Sequence, residues 1–283
     1  MTTKKNIRRL ILVVGCASLC LQSLSAQISD PHPERARLTE LQIAFAGHNY
    51  LGYQHDLPRL PQPPMLTEHT AYREAIARIM TEERSPEEVL NRYLKEHPLD
   101  LDRPSAQLLL GLVYLDQGLY PLAEDQLLKG DTKLLPPHEA AQHDLALGYL
   151  YLRDQRRQPL LDEAQVLLEN ATQDTSIVGE QALLYLGSVA WAKGDLPRAQ
   201  RLFSDQRYSP ELAPEAAYQS ALLAFSSGTP EQALARAAEL NRTYPAMAER
   251  PALRSLIGQT YFRQGNYAEA VRLLQPLQDM DDY

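Results

Sequence analysis

The two histidines and the glutamate of residues 138–143, which read His-Glu-Ala-Ala-Gln-His, are the strongest candidates for metal chemistry. Zinc proteases carry two histidines four residues apart on one helix, with a glutamate beside the first. Here His138 and His143 are five residues apart, so they diverge by about 140° around a helix and one metal ion cannot take both. The segment follows Pro136-Pro137, where the charge of Glu139 favours the start of a helix. We therefore predict a helix start and no metal site.

The other candidate catalytic groups show no productive spacing. The acidic pairs, Glu82-Glu83 and Glu87-Glu88, are typical of solvated helix ends, and Ser85-Pro86 before the second pair has the serine cap and first-turn proline of a helix start. The sequence has no glycine-rich phosphate loop and no nucleophile elbow. We predict that the protein is not an enzyme and has no catalytic residues, cofactor or metal.

Residues 1–26 are typical of a secretory signal peptide. A cationic head with Lys4, Lys5, Arg8 and Arg9 precedes the apolar run Leu10–Leu21, and Leu24-Ser25-Ala26 resembles a signal-peptidase site. The run is too short to span a bilayer, which takes about 20 residues. We predict cleavage after Ala26 and a secreted or periplasmic protein.

The two cysteines, Cys16 and Cys20, both lie inside this segment. Cleavage after Ala26 would leave a chain without a thiol, and hence without disulfides or thiolate metal sites. A second interpretation stays open, because Val13-Val14-Gly15-Cys16 is similar to a bacterial lipobox. Cleavage there would leave Cys16 as a lipid-bearing first residue and associate the protein with the outer membrane.

The charge of the chain argues against nucleic acid as a partner. The predicted signal peptide holds four cations and no anion, so its removal takes the formal charge from −8 to −12. Phosphate backbones are bound by clustered lysine and arginine. The basic cluster Arg153, Arg156 and Arg157 lies in an inserted turn, 156–159, and we interpret it as a solvated loop.

Residues 253–277 predict two amphipathic helices joined by the turn Gln264-Gly265-Asn266. Gly258 and Ala270 leave little side chain between the two backbones, so the helices can lie close and antiparallel. Gly265 supplies the turn conformation that ends the first helix. So short a pair needs a similar pair on each side to bury its apolar stripe.

The same pattern recurs along the chain, in units that begin near residues 67, 104, 141, 180, 214 and 251, which are 34 to 39 residues apart. This period is typical of helix-turn-helix solenoids. The residues predicted to pack the paired helices together are Gly111, Tyr114, Ala123, Gly148, Tyr151, Ala164, Gly187, Ala199, Ala221, Ala233, Gly258, Tyr261 and Ala270.

Leu-Gly-x-x-Tyr, a glycine turn, an aromatic residue, alanine and an apolar residue four positions on together resemble the tetratricopeptide repeat. The resemblance covers residues 67–277 and is strongest in 104–130, 180–206 and 251–277, although the tryptophan that the family has early in the first helix is absent. It implies an all-α, right-handed superhelical solenoid of antiparallel helix pairs, which we assign to residues 67–283. Residues 27–66 are predicted to form a degenerate helical hairpin and a proline-rich spacer at 57–64.

The resemblance implies that first helices line a concave face. The candidates for a partner-binding groove on this face are Leu115, Tyr149, Leu152, Trp191, Leu222, Phe225 and Phe262. Aromatic residues there often pack against the neighbouring repeat in this family, so a structural role stays open beside a groove for an extended peptide or a partner helix. The basic clamp by which some relatives hold a C-terminal carboxylate has no match.

We therefore predict a non-catalytic scaffold for protein–protein interaction in the bacterial cell envelope. Two alternatives stay open: a lipid-anchored structural subunit of an outer-membrane complex, and the N-terminal regulatory portion of a longer array. Since no closing helix follows Gln278, either the last helix docks on a partner or a second copy, or the chain is the front part of a longer array, which we favour. A membrane is a partner only if Cys16 is lipidated.

Overall fold

The computed structural model describes residues 44–45, 50–51, 54, 69–81, 85–154, 158–227 and 230–278. From Thr70 onwards the described residues are helical, with two short 3₁₀ segments at Thr132–Leu134 and Pro245–Glu249. The helices in chain order are α1 (Thr70–Met80), α2 (Pro86–Glu96), α3 (Arg103–Asp116), α4 (Tyr120–Lys129), α5 (Pro137–Arg153), α6 (Gln158–Ala171), α7 (Ile177–Ala192), α8 (Leu196–Phe203), α9 (Ala213–Ser226), α10 (Pro230–Thr243), α11 (Pro251–Arg263) and α12 (Tyr267–Gln278). The fold of these ranges is all-α.

Several helices begin where side chains satisfy the free N–H groups of the first turn. The Ser85 hydroxyl accepts from the Glu88 N–H at 3.3 Å, and α2 then opens on a proline, as the sequence predicts. Asp195 caps α8 in the same way, accepting from the Arg198 N–H at 3.0 Å. The ends of these elements are therefore set locally.

Three glycines reverse the chain between paired helices. Gly118, Gly194 and Gly265 have φ values of +74°, +81° and +77°, which side chains disfavour. Each lies two positions past the last residue of a first helix, and its N–H still bonds to that helix. The predicted role of Gly265 is found, and the short turn brings α12 back along α11.

The chain divides into two compact units, one through Leu150 and one from Tyr151, with the boundary inside α5. The core of the first unit is built from α1, α2 and α3, together with Phe45 and Tyr50. These two rings meet edge to face with centroids 5.4 Å apart. Residues before the first predicted repeat therefore share the core of this unit.

Two core clusters of similar construction lie among the described residues of the second unit. One joins residues of α7, α8 and α9, and the next joins residues of α9, α10, the 3₁₀ segment and α11. Each cluster thus takes in a helix pair and the first helix of the following pair. This explains why one pair cannot bury its apolar stripe alone.

Some predictions fall on residues outside the described ranges: the signal peptide, Cys16, the proline-rich spacer, Arg156 and Arg157. One boundary differs from expectation, because α6 begins at Gln158 and so takes in half of the predicted inserted turn. Pro159 has no N–H to lose in a first helical turn, which makes this start favourable. None of the described helices combines the length and hydropathy needed to cross a membrane.

Candidate functional site

Glycines separate the two helices of three pairs, and in each case the second helix fills the space. A Cβ on Gly111 would lie 2.9 Å from Leu127 Cγ. One on Gly187 would lie 2.5 Å from Phe203 Cε1, and one on Gly258 would lie 2.7 Å from Leu274 Cγ. These separations are below van der Waals contact, so the three glycines play the same part in successive pairs.

The other predicted packing residues differ in how deeply they are buried. The alanines are at most 2% exposed, and they are Ala123, Ala164, Ala199, Ala221, Ala233 and Ala270. Gly148 and Tyr151 are also buried, whereas Tyr114 and Tyr261 are half-buried. The Tyr114 hydroxyl accepts a hydrogen bond from Asn91 Nδ2 at 3.2 Å, so this ring keeps its polar end at the surface.

The groove candidates of the second unit lie on its first helices and differ in exposure. Trp191 of α7 packs on the first core cluster, and Leu222 and Phe225 of α9 pack on the second. Phe262 of α11 is 60% exposed, and its ring contacts Tyr267 with centroids 5.5 Å apart. We name the four first-helix side chains Trp191, Leu222, Phe225 and Phe262 the first-helix face. Leu152, which lies in the last turn of α5, is half-buried.

Arg263 completes this face, and sequence reasoning missed it. Its guanidinium carbon lies 3.7 Å from the centroid of the Phe225 ring, and Nη1 donates to the Phe225 carbonyl oxygen at 2.8 Å. Arg263 follows Phe262 directly in the sequence. A cationic residue next to a predicted groove aromatic is therefore the signal that could have identified Arg263. The contact ties α11 to α9 and covers one side of an aromatic residue.

Two glutamines lie on the same first helices as Phe225 and Phe262. Gln259 is exposed and donates to Ser255 Oγ at 3.0 Å, and Gln219 donates to Glu215 Oε1 at 3.0 Å. Amide side chains both donate and accept, which suits the backbone of an extended peptide. The nearby acid Glu215 is 3.5 Å from Arg250, so this part of the face carries little net charge.

In the first unit the groove candidates Leu115 and Tyr149 are half-buried. A polar contact that the sequence did not predict lies at the start of its helices. His69, which has φ +67°, places Nδ1 2.7 Å from both carboxylate oxygens of Asp102. Burial raises the pKa of Asp102, and the hydrogen bond with His69 opposes that rise.

The histidine of the rejected zinc motif has a packing role. His143 is 5% exposed, and its Nε2 lies 3.1 Å from the carbonyl oxygen of Leu127, which joins α5 to α4. Across the described ranges no group of three or more His, Cys, Asp and Glu side chains is arranged to hold a metal ion. The side chains of the first-helix face are suited to burial and hydrogen bonding.

Comparison with known proteins points to one family. The family model described as Tetratricopeptide repeat matches residues 87–132 and 218–282. No curated protein gives a significant match. The crystal structure of a Rap protein complexed with competence and sporulation factor is similar in fold, with 14% identity, a TM-score of 0.54, and coverage of 86% of this chain and 74% of that chain.

A thermophilic tetratricopeptide repeat protein of Thermus thermophilus also matches, with 20% identity, a TM-score of 0.45, and coverage of 81% of this chain and 99% of that chain. The matched segments contain two of the glycine-separated pairs, those of Gly111 and Gly258. The all-helical fold and the glycine-separated pairs agree with this match, and residues 87–132 and 218–282 are similar to tetratricopeptide repeats.

Proposed function

We propose that the protein is a non-catalytic scaffold that binds an extended peptide or a partner helix on the first-helix face of its second unit. The observation that carries the proposal is Phe262, a large apolar residue that is 60% exposed and takes the same position in its repeat as Trp191 and Phe225 do in theirs. Burying such rings contributes roughly 25 cal/mol per Å² before the entropy costs of association. Gln259 and Gln219 add backbone recognition at the same face.

The Rap protein supports the proposal by its architecture. That protein was crystallised with competence and sporulation factor, and its fold resembles this chain at a TM-score of 0.54. Tetratricopeptide repeats are typical of protein-interaction surfaces, in which apolar anchors set affinity and polar groups set register. The Arg263 guanidinium covers one face of the Phe225 ring. The opposite side of that ring and the Phe262 ring are left for a partner.

Site-directed photocrosslinking in intact cells tests the face. A photoreactive phenylalanine is placed at Phe262 or at Ser188, both on first helices. The same residue at Val271 or Val166, on second helices, is the control, because these positions are about as exposed as Phe262 and more exposed than Ser188. We expect the same discrete adducts with a partner protein from both first-helix positions and none from the controls, apart from an adduct between two copies of this chain at Val271. Mass spectrometry identifies the partner, and binding is then measured with purified proteins.

Substitution separates binding from folding. Phe262→Ala should weaken binding of the identified partner at least tenfold while the melting temperature stays unchanged, because the ring is mainly exposed. Val271→Ala, at 56% exposure on α12, is the control. The double variant Trp191→Ala/Phe225→Ala should abolish binding with helicity retained. Crosslinks confined to Val271 and Val166, or unchanged affinity of Phe262→Ala, would contradict the proposal.

We propose further that the protein works in the bacterial envelope after removal of residues 1–26. The cationic head and short apolar run support export. Fractionation of cells that express the full chain should recover a processed form outside the cytoplasm. Labelling with a palmitate analogue distinguishes the lipid-anchored alternative, in which a label lost in Cys16→Ser would place the protein on the membrane as a structural subunit.

Self-association through α12 is a separate proposal. Tyr267 and Val271 on this helix are 61% and 56% exposed. An apolar helix face of this kind is suited to a second copy. Light scattering after gel filtration should show a dimer that Val271→Glu dissociates, and a wild-type monomer at all concentrations would refute it.

A further inference from the structure

A cavity of about 290 Å³ in the second unit is lined by the end of α8, the connection that follows it, α9 and α10. It exists because α8 has only eight residues and ends at Phe203, whereas α10 has fourteen. The connection 204–212 turns away to reach α9, and the space that a longer α8 would fill stays open. The cavity shares no lining residue with the first-helix face.

The inner end of the cavity is apolar except for one hydroxyl. Phe203, Ala216 and Leu240 there are at most 2% exposed, and Ser220 is 4% exposed. Gln200 Nε2 donates to Ser220 Oγ at 2.8 Å and to Ser204 Oγ at 2.9 Å. Ser220 therefore acts as an acceptor toward Gln200, and no described residue accepts its own proton. A ligand that reaches the inner end meets a buried donor.

Aromatic rings form two walls of the cavity. The Tyr208 hydroxyl donates to the carbonyl oxygen of Leu202 at 3.0 Å, which fixes the ring, and Tyr244 stands on the α10 side. Burial raises the pKa of Tyr208, so this hydroxyl keeps its proton and its hydrogen bond above the pH at which an exposed tyrosine ionises. Rings held in this way favour edge or stacked contact with another ring.

The charges at the mouth are paired. Asp205 Oδ1 is 3.2 Å from Arg207 Nε, and Glu239 Oε2 is 3.4 Å from Arg236 Nη1. Each acid thus faces a base, which leaves no excess charge of either sign to attract an ion. The chemistry of the mouth favours a neutral ligand.

We propose that this cavity binds a tyrosine side chain of a partner polypeptide, with its phenol oxygen accepting from Ser220 and its ring between Tyr208 and Tyr244. The volume is at the lower limit of ligand pockets, about 300 Å³, and so suits one side chain better than a cofactor. This site is additional to the first-helix face and does not depend on the function proposed for that face.

Nuclear magnetic resonance titration of the mature full chain with p-cresol and toluene tests the pocket. p-Cresol carries the phenol of tyrosine, and toluene has the same ring without the oxygen. We expect p-cresol to shift the amide signals of residues 204–220 and 236–244, and to bind about tenfold more tightly than toluene, because one hydrogen bond distinguishes them. N-acetyl-tyrosinamide should bind at the same signals.

Two substitutions make the test specific. Ser220→Ala should remove the preference for p-cresol over toluene, and Ser226→Ala, a serine of the same helix outside the cavity, should keep it. Ala217→Leu should block both ligands by filling the space, with circular dichroism confirming that the helices persist; Ala213→Leu replaces it if that variant does not fold.

Four results would overturn the proposal: no shift with p-cresol, equal binding of toluene by the wild-type protein, shifts confined to other helices, or an N-acetyl-tyrosinamide that fails to bind. Preferential binding of butylguanidinium would also overturn it, and would show that the acids at the mouth recognise a cation.

Discussion

At the scale of single residues, the pair Gly187 and Phe203 shows how the helices of a repeat fit together. The Phe203 ring is 2% exposed and occupies the place where a side chain at position 187 would stand. The pairs Gly111–Leu127 and Gly258–Leu274 repeat the arrangement with leucine in place of phenylalanine. The glycine and the large apolar residue of the second helix are therefore matched in volume.

Gly187→Ala tests this match. The added Cβ would lie 2.5 Å from Phe203 Cε1, so the variant should lose about 1–3 kcal/mol by overpacking. That loss exceeds the gain of about 1 kcal/mol that alanine has over glycine in a helix. Urea unfolding of the two proteins measures the difference.

The double variant Gly187→Ala/Phe203→Leu gives the control for volume. It should be more stable than the sum of the two single losses predicts, by about 0.5–3 kcal/mol, since the smaller side chain makes room for the methyl group. Additive losses would show that the two residues do not compete for the same space.

Elements of the second unit are joined by contacts that no single helix contains. Arg263 extends from α11 to the Phe225 ring and carbonyl oxygen on α9, and Gln264 Nε2 donates to Glu231 Oε1 at 3.2 Å. Lys193 at the end of α7 and Asp162 of α6 make a comparable link at 2.5 Å. Helix spacing thus depends on polar side chains at helix ends as well as on the apolar core.

Arg263→Ala should lower the free energy of unfolding by about 1–2 kcal/mol, because it removes a cation–π contact and a charged hydrogen bond together. Arg272→Ala is the matched control, since Arg272 is 67% exposed and pairs with Glu269 on its own helix. Thermal unfolding followed by circular dichroism compares them. Equal melting temperatures for the two variants would show that the Arg263 contact contributes nothing.

Across the whole molecule, buried phenols make stability depend on alkaline pH. Burial, with nearby carboxylates, raises the pKa of tyrosines in both units, namely Tyr72, Tyr93, Tyr208 and Tyr218. An unfolded tyrosine ionises near pH 10, so the unfolded chain loses these protons first. Their contribution to stability is complete below about pH 10 and is lost as the pH rises toward the folded pKa values.

We therefore expect the free energy of unfolding to fall steeply above about pH 10 in urea titrations. Tyr208→Phe should reduce the steepness, whereas Tyr267→Phe should not, because Tyr267 is 61% exposed. An unchanged slope in Tyr208→Phe would contradict the role of that buried phenol.

Much of this protein follows from local sequence. The period of glycine, alanine and aromatic residues predicts the helix pairs, because helical spacing places those residues on one face whatever their neighbours are. Ser85 and Gly265 mark a helix start and a helix end, because caps and positive φ values depend on the residue itself. Among the groove candidates, the pattern predicts which side chains lie on first helices.

Only the tertiary structure decides what those side chains touch. Arg263 contacts Phe225, and His69 contacts Asp102, across 33 or more positions of the chain. The cavity that Tyr208 lines depends on the short α8. Such contacts arise from the packing of one element on another, so they have no fixed spacing in the chain. Local periodicity determines the repeat, and packing between elements determines which surfaces remain open to a partner.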